Sequence, residues 1–193
     1  MFSGATNYET FHRETNPVWL RVQCGADPDD ASSDESTPPA HDGRPPVTRG
    51  VLVTSGQPVL DMFKYLPTPP FTFLSIAELT LKWRHIAPTA PDTLWCHPFR
   101  ERDPFVLQET PDIYIVGGMP EFATTLVGAE QQGKKKKTRQ CRIVLLPSFA
   151  QTGTLVLINI RTLDVRCVKF GVKGLSAGGG QAGSPEEDVM QEG

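Results

Sequence analysis

The chain is short of histidine, of paired cysteine and of long apolar runs, and each shortage excludes a class of protein. Its 193 residues contain only four histidines and four cysteines. The cysteines are Cys24, Cys96, Cys141 and Cys167. None belongs to a Cys-x-x-Cys pair, which argues against a zinc site built from this chain alone. No stretch approaches the ~18 consecutive apolar residues of a membrane span. The first ten residues lack a basic region followed by an apolar run, so no secretory leader is expected. Net charge is −3, and the isoelectric point is near 5.8. No global field therefore draws the molecule to nucleic acid, and any DNA contact has to be local and weak. Hydrophobic residues make up 38%, with the deficit concentrated in polar and Gly/Pro-rich stretches. Setting those aside leaves roughly 130–140 residues for a core, enough for one ordinary domain. The expectation is a reduced, soluble, intracellular protein with no membrane association.

What is present reads as alternating strands and helices. Residues 18–22 form a short strand, and residues 48–54 another, centred on Val51-Leu52-Val53. Between them, residues 24–46 are rich in Asp, Ser, Pro and Gly and have almost nothing to bury, which predicts a disordered acidic loop. Ser55-Gly56-Gln57-Pro58 is a turn, with Pro58 opening a helix over 58–65. Apolar residues at Leu74, Ala77 and Leu81, and again at Ile76, Leu79 and Trp83, predict a largely buried helix over 74–83. Residues 84–105 carry prolines between apolar residues, which cannot be helix interior and suggest a rigid extended connector laid on the core. Strands follow at 112–116, 121–127, 142–147, 153–160 and 164–170, read as a β-meander. Cys141 and Cys167 lie in apolar runs and read as buried. Residues 128–140 form a basic loop, and residues 173–193 a disordered acidic tail.

Few residues suggest chemistry. His85 and His97 are too far apart in sequence for a local metal pair, and His85 reads as a hydrogen-bonded packing residue. Asp92 and Asp103 flank prolines and read as turn caps. Ser55-Gly56-Gln57 lacks the second glycine of a nucleophile elbow. Lys134, Lys135, Lys136, Lys137 and Arg139 form the one dense cluster of a single sign. They read either as a solvated hairpin loop, or as a phosphate contact or nuclear-targeting patch, with no aromatic residue interleaved for base stacking.

A series of ordered landmarks resembles one family, the small (B) subunits of the replicative DNA polymerases, and among these the delta type. The landmarks are Ala5-Thr6-Asn7-Tyr8, Thr15-Asn16-Pro17, Thr54-Ser55-Gly56-Gln57, the run Arg84-His85-Ile86-Ala87-Pro88-Thr89-Ala90-Pro91-Asp92-Thr93-Leu94, Pro98-Phe99, Asp103-Pro104-Phe105, Gly117 with Pro120 and Phe122, Pro147-Ser148-Phe149, and 157–163. The resemblance implies an α/β (α+β) fold, a partial calcineurin-like phosphodiesterase sandwich in which a mixed β-sheet carries flanking helices. Residues 1–172 correspond to the second half of that domain. The first half and an upstream oligonucleotide-binding-type barrel have no counterpart here, so the half domain is expected to leave unpaired sheet edges.

Active members of the wider superfamily hold two metals through Asp-x-His, Gly-Asp, Gly-Asn-His-Asp/Glu and Gly-His-x-His motifs. The last of these falls on Gly117-Gly118-Met119-Pro120, where neither imidazole position is filled and Met and Pro cannot stand in. The resemblance therefore implies an inactivated fold without a cofactor. It also implies an accessory subunit of nuclear DNA polymerase delta that binds the catalytic subunit's C-terminal cysteine-rich tail and another accessory subunit. A metal-dependent phosphoesterase acting on nucleic acid, and an incomplete fragment without independent function, are the alternatives.

Overall fold

A computed structural model describes residues 14–25, 45–128 and 140–171. The acidic loop, the basic loop, the tail and Ala5-Thr6-Asn7-Tyr8 lie wholly or almost wholly outside the described residues. The elements run β1 (Val18–Cys24), β2 (Val47–Thr54), α1 (Gln57–Phe63), α2 (Phe73–Trp83), β3 (Ile113–Met119), β4 (Ala123–Gly128), β5 (Gln140–Pro147), α3 (Phe149–Thr152), β6 (Thr154–Ile158) and β7 (Val165–Lys169). The fold is α/β, with helices packed on a mixed five-stranded sheet in the order β1-β2-β3-β5-β4, and a separate β6-β7 hairpin. No helix among the described residues is long and apolar enough to cross a membrane.

The second half is not the expected meander. β2, β3 and β5 run parallel, and β4 pairs antiparallel with the outer edge of β5 rather than with β3. Composition explains the order. Ile143, Val144 and Leu145 are all buried, so β5 is apolar on both faces and takes an interior place. β4 carries Thr124 and Thr125 and a 40% exposed Leu126, which suits an edge.

The two faces of the sheet follow from the pleat. Leu52, Tyr114 and Ile143 stand in register and belong to the main core with Val59, Met62, Ile76 and Ala77 of the helices. On the opposite face, Val51 and Ile113 pack with Leu163, Ile158 and Ile160 of the β6-β7 hairpin. Two arginines dock that hairpin. Arg49 donates through Nε to the Ile160 carbonyl (2.9 Å) and through Nη2 to the Arg161 carbonyl (3.0 Å), and pairs with Asp112 at 3.3 Å. Arg142 donates to the Leu163 carbonyl at 2.8 Å.

α2 begins at a capping box, with Thr72 Oγ1 accepting from the Ser75 amide and Ser75 Oγ accepting from the Thr72 amide. It ends at Arg84, whose φ of 58° closes the helix. Only Ile76, Ala77 and Thr80 are buried along it, and Trp83 is 51% exposed, against the expectation of burial on both faces. The helix lies against β4 and β5 with one side and leaves its far end uncovered. Cys141 is buried as expected. Cys167 is exposed, as is most of β7, where only Val165 is partly buried.

The proline-rich connector is anchored but not extended throughout. Residues 88–93 wind into consecutive turns, with the Ala90 amide bonding the Ala87 carbonyl and the Thr93 amide bonding the Thr89 carbonyl. Its anchors are Ile86, Ala87, Phe105 and Leu107, all buried in the main core.

Candidate functional site

Parallel pairing brings the carboxyl ends of β2, β3 and β5 to one edge of the sheet, where ligands of open α/β sheets commonly bind. Thr54, Val116 and Leu145 share one register row, followed by Ser55-Gly56, Gly117-Gly118-Met119-Pro120 and Pro147-Ser148. β3 does not end at Val116. It continues through a register shift to Met119, which pairs with Pro147. Glycines weaken the strand pattern in sequence, but here they let it bulge and go on.

The edge is closed by backbone. Gly56 opens α1 with φ at 85°, and a Cβ there would lie 2.0 Å from the Gly117 carbonyl oxygen and 2.7 Å from Met119 Cε. Gly118, with φ at 63°, would place a Cβ 3.0 Å from the Ser55 carbonyl. Met119 is buried, while Gly118 and Pro120 face solvent. Asn16 completes the seal: its amide Nδ2 donates to Ser55 Oγ (2.8 Å), and its Oδ1 accepts from the Ser55 amide at 3.1 Å and from the Thr54 hydroxyl at 3.4 Å. Ser55 is thus a structural partner rather than a free nucleophile.

The residues at this edge do not fit a two-metal centre. Met119 and Pro120 offer neither a hard oxygen nor an imidazole nitrogen. Among the described residues, no group of three His, Cys, Asp or Glu side chains is close enough to hold an ion. His85 is engaged at both ring nitrogens: Nε2 faces Asp103 Oδ2 at 3.0 Å, and Nδ1 accepts from the Ala87 amide at 3.3 Å. Asp103 also accepts from the Phe105 amide at 2.8 Å, which matches its reading as a turn cap. His97 lies edge-on to Trp95, with ring centroids 4.7 Å apart. Lys134, Lys135, Lys136, Lys137 and Arg139 lie outside the described residues.

Asp61, which with Phe63 and Tyr65 belongs to the landmarks of the resemblance but has no role legible in sequence, ties α1 to the connector. It is almost fully buried, accepts from Thr93 Oγ1 at 2.6 Å and pairs with Lys64 at 3.2 Å. The Thr93 hydroxyl first, then Thr89 and Lys64, hold its carboxyl below the usual range. Deeper in the core, burial pushes the Tyr114 hydroxyl and the Cys141 thiol each up to about 12.

Residues 48–124 match the family model for the B subunit of DNA polymerases alpha and epsilon. The chain belongs to this family of DNA polymerase B subunits. Within it, the chain is similar to the delta type. It is 36% identical over 172 residues to DNA polymerase delta subunit 2 of Drosophila melanogaster, covering 89% of this chain and 32% of that protein. It is 44% identical over 99 residues to the DNA polymerase delta small subunit of Saccharomyces cerevisiae, covering 51% and 19%. It is 32% identical over 170 residues to that of Arabidopsis thaliana, covering 88% and 31%. The chain thus spans about a third or less of the length of these relatives.

Proposed function

We propose that this chain is part of a non-catalytic accessory subunit of DNA polymerase delta, acting in nuclear DNA replication. It binds the C-terminal cysteine-rich tail of the catalytic subunit and contacts another accessory subunit. The observation that carries this reading is the similarity to delta small subunits across 89% and 88% of the chain. The loss of phosphoesterase chemistry is supported by Gly117-Gly118-Met119-Pro120 at the place of a Gly-His-x-His motif. The neighbouring turn is packed backbone against backbone, with no room for a side chain at position 56 itself. On this reading the phosphodiesterase-like sandwich persists as a scaffold, and the Lys134-Lys137 cluster with Arg139 adds at most weak, non-specific phosphate contact.

The test pairs two assays on the purified full-length protein. Calorimetric titration with the catalytic subunit's C-terminal region is expected to give saturable binding near one to one. Manganese-dependent hydrolysis of bis-p-nitrophenyl phosphate is expected to stay at the no-enzyme rate. Turnover above that rate, lost on mutating His85 or His97, supports the phosphoesterase alternative instead.

A further inference from the structure

We infer that residues 95–102 of the connector are the docking surface for an extended, acidic polypeptide segment of a partner subunit. This deepens the accessory-subunit reading by assigning its contact to a specific strip, and it rests on that reading.

Three observations meet there. The first is exposure of aromatic rings in alternation. Trp95 is 78% exposed and Phe99 is 43% exposed, with His97 exposed between them. Single exposed apolar side chains are ordinary, but three rings at alternate positions form a patch. Trp and Arg are also the residue types that dominate binding hot spots.

The second is an unpaired backbone. Between Trp95 and Phe99 the chain makes no turn or bend. None of residues 95–102 makes a backbone hydrogen bond among the described residues. Residues at alternate positions send their N–H and C=O groups to the same side, so 95, 97 and 99 offer one intact edge. Pro98, which lacks an N–H, interrupts the other. An extended peptide can add along the intact edge, as in strand-addition recognition.

The third is charge. Arg100 and Arg102 make no hydrogen bond or ion pair among the described residues, and Glu101 is the one acid within 95–102. The strip therefore complements a segment bearing carboxylates.

The strip is also held ready. Its neck is closed by the His85–Val106 bridge, by the Ile86 amide on the Phe105 carbonyl (3.0 Å) and by the Leu107 amide on the Arg84 carbonyl (2.9 Å). Arg84 clamps the Leu107 and Gln108 carbonyls, and Phe99 packs edge-on to Phe105 with ring centroids 5.4 Å apart. A surface fixed before binding loses little entropy on binding.

The test is a Trp95→Ser, Arg100→Glu, Arg102→Glu variant of the full-length protein, which leaves the Phe99–Phe105 contact intact. Binding is measured separately to the catalytic subunit and to a second accessory subunit of the same polymerase, and to a 20-mer of thymidylate as a nucleic-acid probe. The expected result is an unchanged melting temperature and an affinity at least tenfold weaker for one of the two subunits. Wild-type binding with equal affinity in the variant overturns the docking strip but leaves the accessory-subunit reading standing. No binding by the wild type to either subunit overturns both. Weaker binding of the 20-mer alone reassigns the strip to single-stranded nucleic acid and overturns the proposal.

Discussion

Gly56 is the position where the closed strand-end edge is most exposed to experiment. Alanine there meets two penalties. Its φ of 85° is left-handed, which costs a side chain about 1–2 kcal/mol. Its methyl group would also sit 2.0 Å from the Gly117 carbonyl oxygen, a backbone atom in the neighbouring strand that cannot rotate away. Relieving that overlap means parting the ends of β2 and β3, comparable to core overpacking at about 1–3 kcal/mol. The sum is about 2–5 kcal/mol, which lowers Tm by roughly 10 °C. Two neighbours calibrate the figure. At Gly118 the methyl meets the Ser55 carbonyl at 3.0 Å with φ at 63°, so Gly118→Ala costs about 1–2 kcal/mol. At Gly117 the nearest atom is 3.4 Å away and φ lies outside the left-handed region, so Gly117→Ala costs less than about 1 kcal/mol. Differential scanning calorimetry of the full-length protein ranks the three. If Gly56→Ala melts within error of Gly117→Ala, the edge is open rather than closed.

Three further outcomes follow from named contacts. Arg49→Ala removes the guanidinium from two hairpin carbonyls and from Asp112, at a cost of about 2–3 kcal/mol. Hydrogen exchange should then quicken in β6 and β7 before it does in β3, and uniform quickening speaks against hairpin docking. Asp61→Asn costs about 1–3 kcal/mol at pH 7. Because the folded-state pKa of Asp61 is depressed, its contribution is present above the unfolded value and lost as pH falls, so wild type and variant should converge below about pH 4. A stability gap independent of pH refutes the electrostatic part. Alkylation followed by mass spectrometry should modify exposed Cys167 within the native state. Cys141, buried with its thiol raised to about 12, should react only on unfolding.

Local patterns carry much of the architecture. The runs around Val51-Leu52-Val53 and Ile143-Val144-Leu145 announce strands by composition, and Pro58 marks the start of α1. Arrangement is what sequence does not deliver. Proximity in the chain suggests hairpin order, whereas β3 and β5 pair in parallel across β4, a choice set by which strand must be buried on both faces. Trp83 and Cys167 read as core because apolar spacing does not reveal whether a second layer covers a face. Gly117-Gly118-Met119-Pro120 stands out in sequence only through the resemblance, which implies an imidazole pair there that the chain does not carry. The closure of the strand-end edge is not legible, because the contact of Gly56 with Gly117 joins residues far apart in sequence. Likewise, the connector's prolines signal rigidity but give no sign that Trp95 stands free while Phe105 is anchored.

The most direct test of the accessory-subunit account is immunoprecipitation of the endogenous protein with an antibody to residues 173–193, with quantitative mass spectrometry of what co-purifies and a phosphodiesterase assay on the same eluate. The account predicts the polymerase delta catalytic subunit in near-equimolar amount and no manganese-dependent hydrolysis above the mock eluate. An eluate without the catalytic subunit, carrying hydrolysis that His85→Ala abolishes, contradicts it.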